Sequence, residues 1–195
     1  MPNIVLLRHT KPDVAKGICY GRSDVPLASS FAEEAQVAKK KLSALLEGKP
    51  TRYYSSPLQR CSRLAEVICG SGEIHFDERF QEMNFGAWEM KPWGEIDEFV
   101  MNAWMRDFVR TSPPEGETFE AVAQRSYSAL QDTIQTLPEG AQNLVIVAHS
   151  GVIRAILATV LELPLHKAFS LEIDYGSLSA IRYTPQYSSV LFINR

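Results

Sequence analysis

Cysteine is scarce in this chain: three residues, Cys19, Cys61 and Cys69, with no Cys-x-x-Cys pair. Cys61 and Cys69 fall on one expected helix, eight residues and about 12 Å apart, beyond disulfide reach. A disulfide framework and a thiolate zinc site are therefore excluded, and a reducing, cytoplasmic setting with structural thiols is expected. No apolar run approaches the roughly 18–20 residues of a membrane span. The N-terminus enters a short apolar segment without a basic n-region, so no secretory leader is expected. Charge of one sign is also lacking: 20 Lys and Arg stand against 23 Asp and Glu, a net −3. Such a balance gives no global attraction for nucleic acid or an anionic membrane, and any anion site has to be a local cluster. There is no internal repeat, low-complexity tract or charge block. What remains is an ordinary globular composition, 45% hydrophobic over 195 residues, the size of one domain.

Hydrophobic periodicity fills in the elements. Residues 3–7 (NIVLL) and Asn143–Ala148 (NLVIVA) read as buried strands, and residues 52–55, Ile74–Phe76, 169–173, Leu178–Tyr183 and 190–193 as further strands, the last two of them paired. A helix follows Ser29 or Ser30, with Phe31, Ala35, Ala38, Leu42 and Leu45 on one face. Ser56-Pro57 reads as an N-cap with proline at the first helical position. One helix is expected over 92–109, one from Thr118 to Leu137 and one over 152–163, with long loops at 11–27 and 77–86. Apolar strands separated by helices imply an α/β fold, three-layered, with a mostly parallel sheet. The whole of 1–195 is expected to be one domain, with a small helical cap inserted around 90–116.

Ligands of open α/β sheets bind outside the carboxyl ends of the strands. The first strand delivers Arg8 and His9 there. The second delivers Ser55 and Ser56, with Arg60 in the next helical turn, and the late apolar strand delivers His149 at a helix N-terminus. If these strands are parallel neighbours, two arginines, two histidines and two helix N-termini converge into an anion pocket. Guanidinium forks match phosphate oxygens, and helix N-termini add oriented N–H groups. A neutral imidazole attacks phosphorus, while a second, protonated one stabilises the transferring group. The leaving oxygen needs an acid; Glu82 is the best-placed candidate, ahead of Glu89 and Asp77.

Leu7-Arg8-His9-Thr10, Gly21-Arg22-Ser23-Asp24-Val25-Pro26-Leu27, Tyr54-Ser55-Ser56-Pro57-Leu58-Gln59-Arg60, Glu82 to Glu89, Pro114 to Thr118 and Ala148-His149-Ser150-Gly151 together resemble, in order, the motifs of the histidine phosphatase superfamily, also called phosphoglycerate mutase-like. The resemblance implies His9 as the phosphorylated nucleophile. It implies Arg8, Arg60 and His149 as holders of the phosphoryl group and Glu82 as acid, then base. Arg22, Ser23 and Ser150 are further candidates for phosphate binding. Ala15 stands where the family often has a phosphate-binding asparagine, so that contact is either lost or supplied by Lys11, Arg22 or Ser23. Thr10-Lys11 occupies the place of a usual Gly-Glu. No metal or organic cofactor is implied. The short chain resembles the phosphatase branch, and within it the α-ribazole-5′-phosphate phosphatases of cobalamin nucleotide-loop assembly. The expected partner is a small phosphorylated metabolite, and a homodimer is compatible with a sequence that fixes no oligomeric state.

Plainer readings exist. His75 and His166 lie in no motif and read as structural or solvated. Trp88, Trp93 and Trp104, with Phe99 and Phe108, read mostly as core between cap and body. A two-histidine, one-carboxylate metal site from His9, His149 and Glu82 is disfavoured by the flanking arginines. Ser150 lacks the G-x-S-x-G context of a serine nucleophile. Another sugar or carboxylate phosphate as substrate, and a non-catalytic binder of phospho-ligands, are the alternatives.

Overall fold

The computed structural model describes residues 2–184 and 187–195. In chain order the elements are strand β1 (Asn3–Arg8), a short β2 (Ile18–Cys19), helix α1 (Phe31–Leu46), β3 (Thr51–Ser55), α2 (Gln59–Cys69), β4 (Ile74–Phe76), a short β5 (Lys91–Pro92), α3 (Glu98–Arg106), α4 (Phe119–Gln135), β6 (Asn143–Ala148), α5 (Ser150–Val160), β7 (Leu178–Tyr183) and β8 (Ser188–Phe192). The main sheet has the order β4-β3-β6-β1-β7-β8. β4, β3, β6 and β1 run parallel, and β7 and β8 add antiparallel to β1 and to each other. β2 and β5 pair separately.

The side-chain alternation of β1 and β6 builds the layers. Ile4, Leu6, Leu144 and Ile146 point to one face and pack with Val122 and Leu130 of α4 and Ile153 and Leu157 of α5. Val5, Leu7, Val145 and Val147 point to the other and pack with Ala38 and Leu42 of α1 and Leu64 and Ile68 of α2. A strand buried on both faces has no polar side to show, which is why both read as continuous apolar runs. The result is the expected α/β architecture with a mostly parallel sheet between helices. Among the described residues no helix is long and apolar enough to cross a membrane.

Three expected elements differ. The helix expected over 92–109 is only Glu98–Arg106, preceded by a single 3-10 turn at Trp93–Glu95. Asp97 sets its start by accepting the N–H of Val100 at 3.0 Å. The strand expected at 169–173 does not form: Leu165–Ser170 is a 3-10 helix. The carbonyls beyond it are taken by arginines instead of a ladder, Leu171 by Arg154 Nε at 2.8 Å and Ile173 by Arg8 Nη1 at 2.5 Å. Finally, α2 starts at Gln59, two residues after the expected Pro57. Its first N–H is capped from a distance by Asp24 Oδ1 at 2.8 Å, while Ser56 Oγ faces His149.

Candidate functional site

The parallel register brings the motif residues to one edge. Arg8 pairs with Ala148, and Ser55 with Val147. The chain then holds that level past the strand ends. His9 N donates to Ala148 O at 3.0 Å, and Ser56 N to Val147 O at 3.0 Å. Arg8, His9, Ser55, Ser56 and His149 thus leave three adjacent strands side by side. The residues around them are buried: His9 is 1% exposed, Arg60 and His149 0%.

His9 Nδ1 lies 2.7 Å from the carbonyl oxygen of Thr10. A carbonyl only accepts, so Nδ1 carries the proton and Nε2 keeps its lone pair. Burial, with Arg60 and Arg8 nearby, holds the His9 pKa well below its usual value, so the ring is neutral. His149 lies 5.1 Å away, ring to ring. Arg60 Nε donates to its Nδ1 at 3.2 Å, and its Nε2 meets Ser56 Oγ at 2.9 Å. An accepting Nδ1 makes this ring neutral too, and burial followed by Arg60 pushes its pKa down. The protonated His149 expected from sequence is therefore not the form present here.

Arg60 is fixed by the 21–23 turn. Its Nη1 donates to Ser23 O at 2.8 Å and its Nη2 to Gly21 O at 2.6 Å. With three of five N–H groups used, two remain. Arg8 uses Nη1 on Ile173, and its buried Nε has no partner; the buried hydroxyls of Thr10 and Ser177 have none either. Ser177 is next to them because its carbonyl accepts the N–H of Arg8 at 3.1 Å. Neither Arg8 nor Arg60 is paired with a carboxylate among the described residues. Buried polar groups are nearly always satisfied, so unpartnered donors and unpaired cations at one strand end mark a place built for an anion.

Glu82 accepts the N–H of Met83 at 3.0 Å and that of Gly151, in the first turn of α5, at 3.1 Å. A Cβ on Gly151 would collide with Glu82 Oε1, so the carboxylate reaches this helix end only past glycine. Behind it, Arg125 of α4 holds the backbone of the loop, donating to Arg79 O, Gln81 O and Glu82 O at 2.7, 2.7 and 3.1 Å. Arg125 is held in turn by a half-buried ion pair with Glu117 at 2.8 Å. The other acid candidates are engaged elsewhere. Asp77 is bound by Arg79, and Glu89 accepts the N–H groups of Arg22 and Phe85 and the hydroxyl of Ser23.

Beside Glu82 is a cavity of about 160 Å³. Phe85, Trp93, Phe119 and Phe169 form much of its wall, and Ser150 and Gly151 its helix end. Trp88 and Trp104 back this wall through edge contacts, whereas Phe99 points out at 83% exposure. Arg22 and Lys11 are exposed, and Lys11 lies in a surface depression with Glu33, Glu34 and Tyr175. Ser23 gives its hydroxyl to Glu89 and its carbonyl to Arg60, and so builds the frame. Ala15 and His166 are exposed, and His75 lies against Tyr54 on β3. The thiol of Cys61 sits 3.4 Å from His149 Nε2, and burial pushes its pKa up. Among the described residues no three His, Cys, Asp or Glu side chains gather as a metal site would require.

The sequence did not single out Arg125, Tyr20 or Tyr175. Arg125 stands mid-helix outside any motif, and only the fold carries its guanidinium to the 79–82 carbonyls.

The chain is similar to known proteins along its whole length. Two curated relatives named adenosylcobalamin/alpha-ribazole phosphatase are similar over 97% of the chain and 94% of their own length, that of Salmonella typhimurium at 29% identity and that of Escherichia coli at 27%. A protein of Hydrogenobacter thermophilus named among the phosphoserine phosphatases is 28% identical over 100% of the chain and 96% of its own. Among solved structures, the alpha-ribazole phosphatase of Shigella flexneri superimposes with a TM-score of 0.85 at 25% identity, covering 99% of this chain and 96% of that one. The profile of the histidine phosphatase superfamily (branch 1) matches residues 4–195, and the chain belongs to that superfamily as an enzyme of the phosphatase type.

Proposed function

We propose that the protein hydrolyses a phosphomonoester in two steps through a phosphohistidine on His9, with α-ribazole 5′-phosphate as its substrate. The observation that carries the reading is the neutral, Nδ1-protonated His9 beside two arginines that lack a carboxylate partner. Arg8 and Arg60 take the phosphate oxygens, and the free N–H groups of Arg60 and the Nε of Arg8 are the donors for them. His9 Nε2 attacks phosphorus in line with the ester oxygen. The P–O bond breaks as the P–N bond forms, and Glu82 gives a proton to the departing alkoxide. Glu82, now a carboxylate, takes a proton from the water that attacks the phosphohistidine. That second displacement returns His9 and releases phosphate. His149, held by Arg60 and Ser56, faces the transferring group; a dianion beside it favours its protonated form. Ser150 and Gly151 present the N-terminus of α5 to the same charge.

The aromatic wall next to Glu82 supports the finer assignment. Relatives of similar identity carry different substrate names, but Glu82 is the only charged side chain lining this cavity among the described residues, and five aromatic rings line it, Tyr20 included. A flat, aromatic alcohol portion fits such a wall better than a carboxylate would. On this reading the 90–116 segment caps the leaving group through Trp93 and, behind it, Trp104. The three free thiols suit a reducing cytoplasm.

Three outcomes test the proposal. Single-turnover reaction with an ester labelled at phosphorus, quenched in alkali, should leave the label on the His9 peptide and lose it in acid. His9→Ala should retain no label and no turnover. Label on Ser150, or turnover by His9→Ala, would remove the nucleophile assignment.

Glu82→Gln should slow alkyl phosphates by about 10²–10⁴-fold and aryl phosphates far less, because a phenolate leaves without a proton. Gly151→Ala, which displaces the Glu82 carboxylate, should show the same alkyl-selective loss. Equal losses on both ester types would move the acid role elsewhere.

The third outcome concerns pH. Both imidazoles are more acidic in the fold than unfolded, so below the unfolded pKa of about 6.5 the unfolded chain takes up protons that the fold refuses. Stability present above that pH is then lost as pH falls toward the lowered folded values. The acid-side decline in urea-melt stability should shrink in His9→Gln. An undiminished decline would place it on other groups.

A further inference from the structure

Each arginine of the phosphate pocket lies under a tyrosine ring. Arg8 Cζ is 3.8 Å from the ring centre of Tyr175, and Arg60 Cζ is 5.2 Å from that of Tyr20. The two phenol oxygens meet at 3.0 Å, so the pair spans from one arginine to the other. The Tyr175 ring is also 5.5 Å from the imidazole of His9. Both tyrosines sit in tight turns followed by a glycine at positive φ, Gly21 at 38° and Gly176 at 66°. The turns are closed by Ser23 N to Tyr20 O at 2.8 Å and Ser177 N to Asp174 O at 3.1 Å, and Gly176 N donates to the carbonyl of His9 itself at 3.1 Å. The second turn is anchored on its far side as well, where Asn194 Nδ2 donates to Asp174 Oδ2 at 2.9 Å.

His9 is only 1% exposed, yet a nucleophile has to meet phosphorus along a clear line. The tyrosine over its neighbour Arg8 is 42% exposed, so the outer side of the pair faces solvent. We propose that the Tyr20–Tyr175 hydroxyl contact is a bridge that closes the phosphate pocket over His9, positions one guanidinium beneath each ring, and parts to admit a phosphate ester. The closure itself needs no assumption about turnover; only its catalytic consequence rests on His9 as nucleophile. Tyr175 is exposed, so the bond its hydroxyl makes is readily exchanged for bonds to water. Opening therefore costs little, and it frees the O–H that donates across the pair, so that both hydroxyls can donate beside the two arginines, where an anion's oxygens arrive. In the closed form the rings hold the guanidinium planes through cation–π contact. Tyr20 and Tyr175 are thus positioning residues, ready before the substrate arrives.

Carbethoxylation of His9 by diethyl pyrocarbonate, read by mass spectrometry of the His9 peptide, reports access without any turnover. His75 and His166 are internal references. Tyr20→Phe and Tyr175→Phe keep the rings and remove the bond; each should speed His9 modification about fivefold, the worth of one modest hydrogen bond. The double variant should gain no more than either single one, and the reference histidines should not change. In Tyr175→Leu, which also strips the ring from Arg8, inorganic phosphate should protect His9 at a half-saturating concentration about two- to fivefold higher than in Tyr175→Phe. His9 modification unchanged relative to His75 in both Phe variants would overturn the bridge, even if their melting temperatures fell. Faster modification together with no turnover of any ester by the wild-type protein would uphold the bridge and sink the phosphatase reading.

Discussion

A buried guanidinium has to be given acceptors by the fold, and Arg60 is given three, two from the 21–23 turn and one from the end of β6. It rises from the first turn of α2 and donates to the carbonyls of Gly21 and Ser23 and to the ring of His149 at the end of β6. Full burial of a cation without a carboxylate partner is expensive, so the fold has to hold in place the acceptors it does supply, and two N–H groups stay open. The N-cap of α2 is therefore borrowed from Asp24, in the turn that Arg60 also grips, so one loop fixes both the helix start and the arginine. The same contact sets the tautomer of His149, because a donated N–H at Nδ1 leaves only Nε2 to carry that ring's proton. Pocket charge and pocket geometry follow from this one side chain.

The carboxylate side of the site is held from behind. Arg125 binds three carbonyls around Glu82 and is itself fixed by Glu117, which also accepts the N–H of Asn84 at 2.8 Å. Glu82 then has one place to go, the open N-terminal turn of α5 at Gly151. A loop acid is usually solvated; here rigid backing and a missing Cβ turn it toward the pocket. Arg60 and Glu82 thus rest on separate frames, α2 with the 21–23 turn and α4 with the 79–82 loop. The cavity lies beside Glu82, with its aromatic wall supplied by Phe85 and Trp93 of the segment that links Glu82 to α4, by Phe119 at the start of α4, and by Tyr20 and Phe169.

Much of the scaffold was legible locally. The two apolar runs at β1 and β6 announce strands buried on both faces, and the polar residues that follow them directly mark strand ends. Helices at 31–46 and 119–135 follow from periodicity, and Thr118 caps the latter by accepting the N–H of Ala121 at 3.1 Å. Two of the three differences share one cause. At 169–173 and at 56–58 the sequence offers ordinary local signals, an apolar β-like run and a Ser-Pro helix start. In the fold these backbone and hydroxyl groups are claimed by distant partners, Arg154, Arg8 and His149. Local propensity loses wherever a buried polar group elsewhere needs the same atoms.

The sequence by itself determined the α/β class, the motif order and the residue types of an anion pocket, because these depend on periodicity and on chemistry carried by short segments. It also determined that His9, Arg8 and His149 stand at strand ends. Only the tertiary structure decided that those ends are neighbours, that both imidazoles are held neutral, and that Ser23 and Glu89 build the frame. The positions of Arg125, Tyr20 and Tyr175 belong to the same class. Their roles arise from the direction of a side chain across tens of residues of intervening chain, and no local pattern encodes a direction in space.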